Sequence, residues 1–412
     1  MYHRHRRVDY TNSLPDECLA LIFNYLITTN DRNNSSLVSH RWFRIEAQTR
    51  TYLTLKAHSN LQPFILSIFN RFNSLTQLVL RNYSTSLVSI NDNDMILITS
   101  MCPNLTRLKL CFCDRLTVFS KNCKELKEFS CANCEFSDLG MLELLDNCTQ
   151  LEVLSVTWLV SRLSDDKALS NFRAAKSLKV IKVSFVCNER LFEPLIIASK
   201  NLKSLKLIGC GGKWDRALES IGDDNCLGDV HLEQVNVTDV GVSLLAKCRD
   251  LISLYIKNVL CTDVGLISVA ENCKRLKKLY VDDCVRNKIG NEGLIAVGKH
   301  SVNLQELVLK GVSVSCVSLQ VIATNCQKLV RLELSRSETI TDVEMMCIAE
   351  KCVALKSLCI EECCVSNKGI EAFALGCPNL AKFRVTKCKK VTREVKDRLR
   401  ASRESLWLHY IH

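Results

Sequence analysis

A leucine-centred phrase recurs through most of the chain and constrains the fold more than any other feature. Its fullest form is Cys-x-x-Leu-x-x-Leu-x-Leu/Ile-x-x-Cys, with clear copies at residues 102–113, 273–284, 352–363 and 377–388. Its first leucine can be followed through thirteen copies: Leu75, Leu105, Leu126, Leu151, Leu178, Leu202, Leu227, Leu251, Leu276, Leu304, Leu329, Leu355 and Leu380. The mean spacing of about 25 residues lies within the range of leucine-rich repeats.

Each repeat predicts one strand and one helix. The alternation x-Leu-x-Leu-x predicts a strand that is buried on one face. A second phrase follows, as in residues 262–273, where Thr262 and Asp263 form a favourable helix start; comparable starts occur at Ser137, Thr238, Thr341 and Ser366. Because no single unit can bury its apolar face, stacked units share one core. The predicted fold class is α/β, with an N-terminal helical region followed by a curved solenoid of about 13 repeats.

Two repeats depart from the pattern. Only 21 residues separate Leu105 from Leu126, which leaves little room for a helix. Residues 155–175 are polar and unpatterned, so we expect a distorted or looped-out segment there.

Cysteine occupies two fixed places in the repeat. Eight cysteines precede an aligned leucine by three residues: Cys102, Cys123, Cys148, Cys248, Cys273, Cys326, Cys352 and Cys377. Six follow one by eight residues: Cys113, Cys134, Cys210, Cys284, Cys363 and Cys388. The recurrence of cysteine at these two places indicates a structural role, because a small apolar side chain suits a tight, buried corner of the repeat. A long chain without a recognisable secretory signal also predicts reduced thiols.

Composition and motifs argue against several other classes. A net charge of +11 over 412 residues is only mildly basic, which disfavours a nucleic-acid binder. No apolar run reaches the length of a membrane-spanning helix. Cys131-Ala-Asn-Cys134 has the spacing of half a zinc site, but no matching second pair follows. No catalytic motif is present, so we expect no enzyme activity, no metal and no cofactor.

The first fifty residues follow a different, helical pattern. Pro15 and two acidic residues stand at the start of a segment with an apolar stripe at helical spacing, formed by Leu19, Ile22, Phe23 and Leu26. A polar linker is predicted over residues 28–34, followed by a second short amphipathic helix over residues 36–44. Such a small cluster is marginally stable alone, which suggests that it has a partner.

The pattern Leu14-Pro-x-Glu-x-Leu-x-x-Ile22-Phe-x-x-Leu26, followed by Ser-Leu37-Val-x-x-x-Trp42, resembles an F-box. The whole chain resembles plant F-box/leucine-rich-repeat proteins of the VIER F-box group, also through Asp9-Tyr-Thr and residues 293–309 and 399–403. The resemblance implies the non-catalytic substrate receptor of an SCF-type (Skp–cullin–F-box) ubiquitin ligase. The F-box would bind a Skp-type adaptor and through it a cullin scaffold. The repeats would bind a protein substrate for ubiquitination and degradation, in the nucleus and/or the cytoplasm.

The resemblance also implies domain limits and adaptor contacts. The limits are residues 1–9 for a flexible N-terminus, 10–55 for the F-box, 56–74 for a linker, 75–390 for the repeats and 391–412 for a C-terminal cap. The implied adaptor contacts are Leu14, Pro15, Ile22, Phe23, Leu26, Leu37, Val38 and Trp42. Alternatively, Ile22 and Leu26 belong to the core of the F-box. Ser36, Ser39 and His40 depart from the family pattern, which leaves open a scaffold with a weakened F-box that acts outside SCF.

One surface patch of the repeats is a candidate substrate site. Outward strand positions carry both signs of charge, which suits a protein partner better than a nucleic acid or membrane. The most distinctive patch consists of His231, Tyr255, Lys257, Lys278 and Tyr280. The tyrosines are expected side by side on neighbouring strands, as exposed aromatic groups beside cations. Ordinary cross-strand pairs that stabilise the sheet are the alternative, and a small-molecule receptor is a further one.

Overall fold

The computed structural model describes residues 10–57, 59–81, 90–112, 119–134, 138–159, 172–187, 190–219, 221, 226–282, 288–403 and 406–411. The chain divides near residue 153 into two compact units, an N-terminal unit and a C-terminal unit. Within the described ranges, no helix has the length and apolar character needed to cross a membrane.

The N-terminal unit starts with three helices and continues into repeats. Its main elements are α1 (Asp16–Tyr25), α2 (Thr29–Ser36), α3 (His40–Thr49), β1 (Tyr52–Lys56), α4 (Ile65–Arg71), β2 (Gln77–Arg81), α5 (Asp92–Met101), β3 (Arg107–Cys111), β4 (Glu128–Cys134) and α6 (Asp138–Asn147). Strands β1 to β4 pair in parallel and in chain order. The sheet therefore begins with β1, one strand before the first aligned leucine.

The predicted polar linker over residues 28–34 is wrong, because this segment forms α2. The Thr28 hydroxyl accepts a hydrogen bond from the backbone N–H of Asp31 at 3.0 Å and donates one to its carboxylate at 2.6 Å. Such capping satisfies backbone groups that otherwise lack a partner at a helix start. The next helix begins at His40, with Ser39 as its cap, so the second helix predicted over residues 36–44 starts later, and Leu37 and Val38 form a turn between α2 and α3.

The C-terminal unit contains only repeats. Its main elements are β5 (Val153–Leu159), β6 (Val180–Ser184), α7 (Phe192–Ala198), β7 (Ser204–Ile208), α8 (Asp215–Glu219), β8 (Asp229–Glu233), α9 (Asp239–Leu244), β9 (Ser253–Lys257), α10 (Asp263–Asn272), β10 (Lys278–Asp282), α11 (Asn291–His300), β11 (Glu306–Lys310), α12 (Cys316–Asn325), β12 (Arg331–Ser335), α13 (Asp342–Ala349), β13 (Ser357–Glu361), α14 (Asn367–Gly376), β14 (Lys382–Thr386), α15 (Arg393–Ser402) and β15 (Trp407–Ile411). Strands β6 to β15 pair in parallel with their neighbours in the sequence. The predicted fold class, N-terminal helices followed by strand-plus-helix repeats, is confirmed.

The short repeat follows the expectation, whereas the segment predicted to be irregular over residues 155–175 begins within strand β5 and lies mostly outside the described residues. A 3-10 turn at Ser120–Asn122 stands between β3 and β4, where the short interval left little room for a helix. Residues 160–171 lie outside the described residues, and a 3-10 turn at Arg173–Lys176 follows them. At the C-terminus, α15 is the amphipathic helix expected for a cap, and β15 adds a strand that the sequence did not predict.

Local backbone geometry explains one cysteine slot. Every described residue that stands seven positions after an aligned leucine has a positive φ, for example Asn133, Gly209 and Glu362. This left-handed residue ends the strand and turns the chain inward. The following position is therefore an enclosed corner, and its described cysteines, Cys134, Cys210, Cys363 and Cys388, are buried. Cys113 and Cys284 lie outside the described residues.

The other slot lies at the end of each repeat helix, and all eight of its cysteines are buried. Three of the thiols donate to backbone carbonyl groups of the preceding repeat: Cys273 Sγ lies 3.4 Å from the Leu245 oxygen, Cys326 Sγ 3.5 Å from the Ser301 oxygen and Cys377 Sγ 3.8 Å from the Ala349 oxygen. A small apolar residue with a weak donor fits this position. The structural role of the described slot cysteines is confirmed.

One cysteine pair contradicts the expectation of reduced thiols. Cys316 of α12 and Cys347 of α13 form a disulfide, with their Cα atoms 6.5 Å apart. Neither residue occupies a repeat slot, so the repeat pattern did not predict that these two side chains meet.

Aspartates at helix starts tie several repeats of the C-terminal unit to the next one. Asp239 accepts hydrogen bonds from the backbone N–H and hydroxyl of Thr262, at 2.8 and 2.7 Å, and from the Gly265 N–H at 3.0 Å. Asp342 holds Ser366 and Gly369 in the same way. These bonds satisfy the first backbone donors of the next helix and so fix the stacking of neighbouring helices.

Candidate adaptor-binding and substrate-binding surfaces

Three side chains form the core of the N-terminal helices. Leu19, Phe23 and Ile45 are buried, and Leu14, Ala20, Leu26 and Trp42 pack around them. The Phe23 and Trp42 rings meet edge to face, with their centroids 5.3 Å apart. Phe23, which the family resemblance assigns to the adaptor contacts, is fully buried in this core and presents no side-chain surface in the free chain. Its role is to support the surface, because one face of α1 must close this small core.

The remaining candidate adaptor residues fall into two groups. Leu14, Leu26 and Trp42 are partly buried against the core, so only part of each side chain is available to a partner. Pro15, Ile22, Leu37 and Val38 are exposed. Leu37 is 82% exposed and lies with Val38 in the turn before α3. Ile22 does not belong to the core, whereas Leu26 packs on it.

Three further exposed apolar residues were missed by the sequence analysis. Leu21, Tyr25 and Ile27 are 61%, 83% and 94% exposed. Leu21 and Tyr25 are four residues apart on α1, a spacing that places them on one helical face. The i, i+4 spacing of Leu21 and Tyr25 is the signal in the sequence that indicates this second face. The apolar stripe through Leu19 and Phe23 is more regular, but it marks the buried face of α1. We call the exposed set Leu21, Ile22, Tyr25, Ile27, Leu37 and Val38 the apolar patch.

A buried charge cluster holds the helices beneath the apolar patch. The fully buried carboxylate of Glu46 contacts Arg50 at 2.6 Å, Arg71 at 3.4 Å and Arg32 at 3.5 Å. Arg32 also donates to the Phe23 carbonyl oxygen at 2.7 Å. Burial lowers the pKa of Arg32 and Arg71, while the charge of Glu46 opposes that shift. The cluster therefore links α2, α3 and α4 through a single carboxylate.

The candidate substrate residues lie on the open face of the sheet, opposite the buried leucines. His231, Tyr255 and Tyr280 are in register on β8, β9 and β10. The His231 and Tyr255 ring centroids are 3.9 Å apart and the two tyrosine centroids 5.7 Å apart, all in stacked orientation. The expectation that the tyrosines stand side by side is confirmed. We call these three residues the aromatic ladder.

Carboxylates that the sequence analysis had not assigned to the site hold both lysines of the candidate patch. Glu233 bonds Lys257 at 2.8 Å and His231 at 3.0 Å. Glu306 bonds Lys278 at 2.6 Å and accepts from the Tyr280 hydroxyl at 2.7 Å. The ladder and its charges thus form a rigid unit, which agrees with the alternative reading as cross-strand stabilisation. A rigid, partly exposed aromatic surface is equally what a protein partner can bind with little loss of entropy.

The titration of two ladder residues is shifted. Burial lowers the pKa of His231, against the raising effect of Glu233, so its imidazole favours the neutral form. Burial and the hydrogen bond to Glu306 raise the pKa of Tyr280 to about 12.

Beside Tyr255 and Tyr280 the face forms a pocket of about 150 Å³ that Val308 and Arg331 also line. The pocket is large enough for one side chain of a partner, and its lining combines two tyrosines and two valines with the charged residues Asp282, Lys310, Arg331 and Glu333.

The repeat cysteines are poorly suited to nucleophilic chemistry. Burial raises the pKa of Cys102, Cys273 and Cys326 to about 11, and that of Cys248 and Cys352 to about 12. Such thiols stay protonated at neutral pH, whereas the thiolate is the reactive form. Among the residues that the structure describes, no three His, Cys, Asp or Glu side chains group as a metal site.

Comparison with known proteins agrees with this arrangement. An F-box family model matches residues 11–52, the three-helix segment with the apolar patch. Coronatine-insensitive protein homolog 1b of Oryza sativa subsp. japonica is 24% identical, over 90% of this chain and 71% of that protein. F-box protein MAX2 homolog A of Petunia hybrida is 24% identical over 92% of this chain, which spans about half of that relative. Among solved structures, a leucine-rich-repeat protein of Leptospira interrogans matches with a TM-score of 0.51 and 16% identity, over 89% of this chain and 91% of that one.

These findings define the class of the protein at a coarse level. The chain carries an F-box at its N-terminal end, followed by leucine-rich repeats, and the two relatives described above are plant proteins. The structural neighbour supports the repeat fold alone.

Proposed function

We propose that this protein is the substrate-recognition subunit of an SCF-type ubiquitin ligase. In this role the F-box binds a Skp-type adaptor, which connects the chain to a cullin scaffold. The repeats bind a protein substrate for ubiquitination and proteasomal degradation. The observation that carries the proposal is the apolar patch: the segment that matches an F-box is also the segment in which the fold leaves six large, mainly apolar side chains exposed to water. Contiguous exposed apolar groups mark protein interaction sites.

The receptor would act without catalysing a reaction itself. The conjugating enzyme supplies the reactive thioester, and the receptor raises the concentration of substrate lysines near it. The raised pKa values of the buried repeat thiols agree with this role. We place the protein in the nucleus or the cytoplasm, where ubiquitin ligases of this type act. We also propose membership of the VIER F-box group, on the sequence phrases quoted above.

The apolar patch favours this proposal over a scaffold with a weakened F-box. Ser36, Ser39 and His40 depart from the family pattern, but Ser39 caps α3 through the Trp42 N–H at 3.2 Å. The departures therefore preserve the turn that presents Leu37 and Val38. Burying such exposed side chains in an adaptor groove would supply a large share of the binding energy.

Calorimetric titration of the full chain with a plant Skp-type adaptor tests the proposal. We expect wild type to bind, and Leu37→Asp to lose about 2 kcal/mol, or about 30-fold in Kd, because a charge would be buried in an apolar interface. Gln48→Asp adds the same charge at an exposed polar position of α3 and is the matched control, expected to bind like wild type.

Tyr255→Ala/Tyr280→Ala is the second control, since it alters only the candidate substrate surface and should leave adaptor binding intact. If folded wild type does not bind the adaptor, or if Leu37→Asp binds as wild type does, the proposal is wrong. Loss of adaptor binding with retained binding of a protein partner would support the scaffold alternative.

A further inference from the structure

The open face of the last repeats carries a basic pocket. It has a volume of about 330 Å³ and lies next to the smaller pocket of the aromatic ladder, with which it shares Arg331 and Glu333. Its other lining residues are two cations of β14, an exposed tryptophan of β15 and three residues of β13: Lys382, Arg384, Trp407, Ser357, Leu358 and Cys359. Three cations against one carboxylate give this lining a net positive charge.

Strand register places no carboxylate directly opposite either cation of β14, and the charges of Glu333 and Glu361 reach Arg384 only from outside ion-pair distance. Lys382 lies between Ser357 of β13 and Trp407 of β15. Arg384 lies between Cys359 and His409, and its Nε donates to Cys359 Sγ at 3.3 Å. Within the described part of the chain, neither Lys382 nor Arg384 makes an ion pair with a carboxylate.

The preceding strands of the same face are different, because their lysines are neutralised locally. Lys257 bonds Glu233 at 2.8 Å, and Lys310 bonds Glu333 at 2.8 Å. Glu333 also bonds Arg331 at 3.0 Å, so the single negative charge in the lining of the basic pocket is shared between Lys310 and Arg331. Among the described cations on the open face of β11 to β14, Lys382 and Arg384 are therefore the two that form no ion pair.

We propose that the basic pocket binds a glutamate- or aspartate-rich segment of the protein substrate. Lys382 and Arg384 would pair with carboxylates, and Trp407, which is 56% exposed, would contact an apolar or aromatic residue of the same segment. That the segment belongs to a substrate rests on the proposed function. Complementary charge would fix its register and speed its association.

Two separate cations match two separate carboxylates of one extended segment, because Lys382 and Arg384 lie two residues apart on β14. A phosphorylated side chain carries roughly 1.5 to 2 negative charges at neutral pH and is attracted to the same cations. A phosphoserine peptide is therefore a necessary comparison in the test.

Fluorescence anisotropy with the full chain tests the inference. The probes are fluorescein-labelled Gly-Glu-Glu-Phe-Glu-Glu-Gly and the same peptide with glutamine in place of glutamate. We expect the acidic peptide to bind at least tenfold more tightly. Lys382→Glu/Arg384→Glu should weaken it at least tenfold. Lys274→Glu/Lys277→Glu changes the net charge equally at exposed positions before β10 and should leave Kd within twofold.

Equal affinity for both peptides, or an equal loss in both charge-reversed variants, would overturn the inference. A phosphoserine peptide that binds ten times more tightly than the glutamate peptide would replace it with phosphate recognition. Adaptor titration of the same variants separates this inference from the proposed function. Adaptor binding without peptide binding refutes only the pocket, and peptide binding without adaptor binding refutes only the SCF role.

Discussion

Replacing Gly265 with alanine should loosen the stack of helices in the C-terminal unit. Gly265 is the third residue of α10, and its N–H donates to Asp239 of the preceding repeat at 3.0 Å. An added Cβ would lie 2.9 Å from Asp239 Oδ1, 2.9 Å from Cys261 Sγ and 3.0 Å from Val242 Cβ. Each distance is shorter than ordinary packing allows, so the carboxylate has to move away from the helix start.

The magnitude follows from three contributions. Weakening the charge-assisted bond costs about 1.5–3 kcal/mol. Overpacking destabilises the fold by a further ~1–3 kcal/mol, whereas the higher helix propensity of alanine stabilises it by about 1 kcal/mol. We therefore expect Gly265→Ala to lower the free energy of unfolding by about 1.5–5 kcal/mol. Urea unfolding followed by circular dichroism measures the loss, and hydrogen exchange locates it, because repeat proteins need not unfold in one step.

Two further variants make the test specific. Ser318 of α12 stands at the position equivalent to Gly265, and its hydroxyl donates to Asn291 at 2.9 Å. Gly265→Ser should therefore lose less stability than Gly265→Ala, because a hydroxyl can replace the lost N–H contact. Gly228→Ala is the control, since its Cβ would have no neighbour closer than 3.5 Å. If Gly265→Ala is as stable as wild type, or no less stable than Gly228→Ala, the reasoning about the aspartate contacts fails.

Two other predictions concern buried charge and pH. Glu46→Gln removes the charged partner of the buried Arg50 and should cost about 3–5 kcal/mol of unfolding free energy in urea. A loss below about 1 kcal/mol would show that the cluster does not hold these helices together. Because burial lowers the pKa of His231, its contribution to stability is complete above the unfolded value of about 6.5 and is lost as the pH falls below it. The melting temperature of wild type minus that of His231→Gln should therefore be smaller at pH 5.5 than at pH 7.5. A difference that stays constant over this range would contradict the assignment.

Local signals allowed much of the repeat structure to be predicted. Thr238, Thr262, Thr341 and Ser366 cap their helices as expected, because an N-cap depends on residues only a few positions apart. The strands follow from the alternation of buried leucines for the same reason. Ser137 lies outside the described residues.

Features that depend on contacts between distant residues were not predicted. The pairing of Lys278 with Glu306 requires the register of β10 and β11, which the repeat suggests but one strand alone does not specify. The burial of Phe23 and the exposure of Ile22 depend on which face of α1 meets Ile45. Helix α2 was missed because its sequence has no apolar stripe, and capping with neighbouring contacts decides its conformation.

Hydrogen–deuterium exchange of the full chain, with and without a stoichiometric Skp-type adaptor, tests the central claim most directly. The account predicts slower amide exchange at residues 21–27 and 37–38, the segments that carry the apolar patch, and little change at the aromatic ladder. A bound adaptor that leaves residues 21–27 and 37–38 exchanging as in the free chain would contradict the assignment of this surface as the adaptor site.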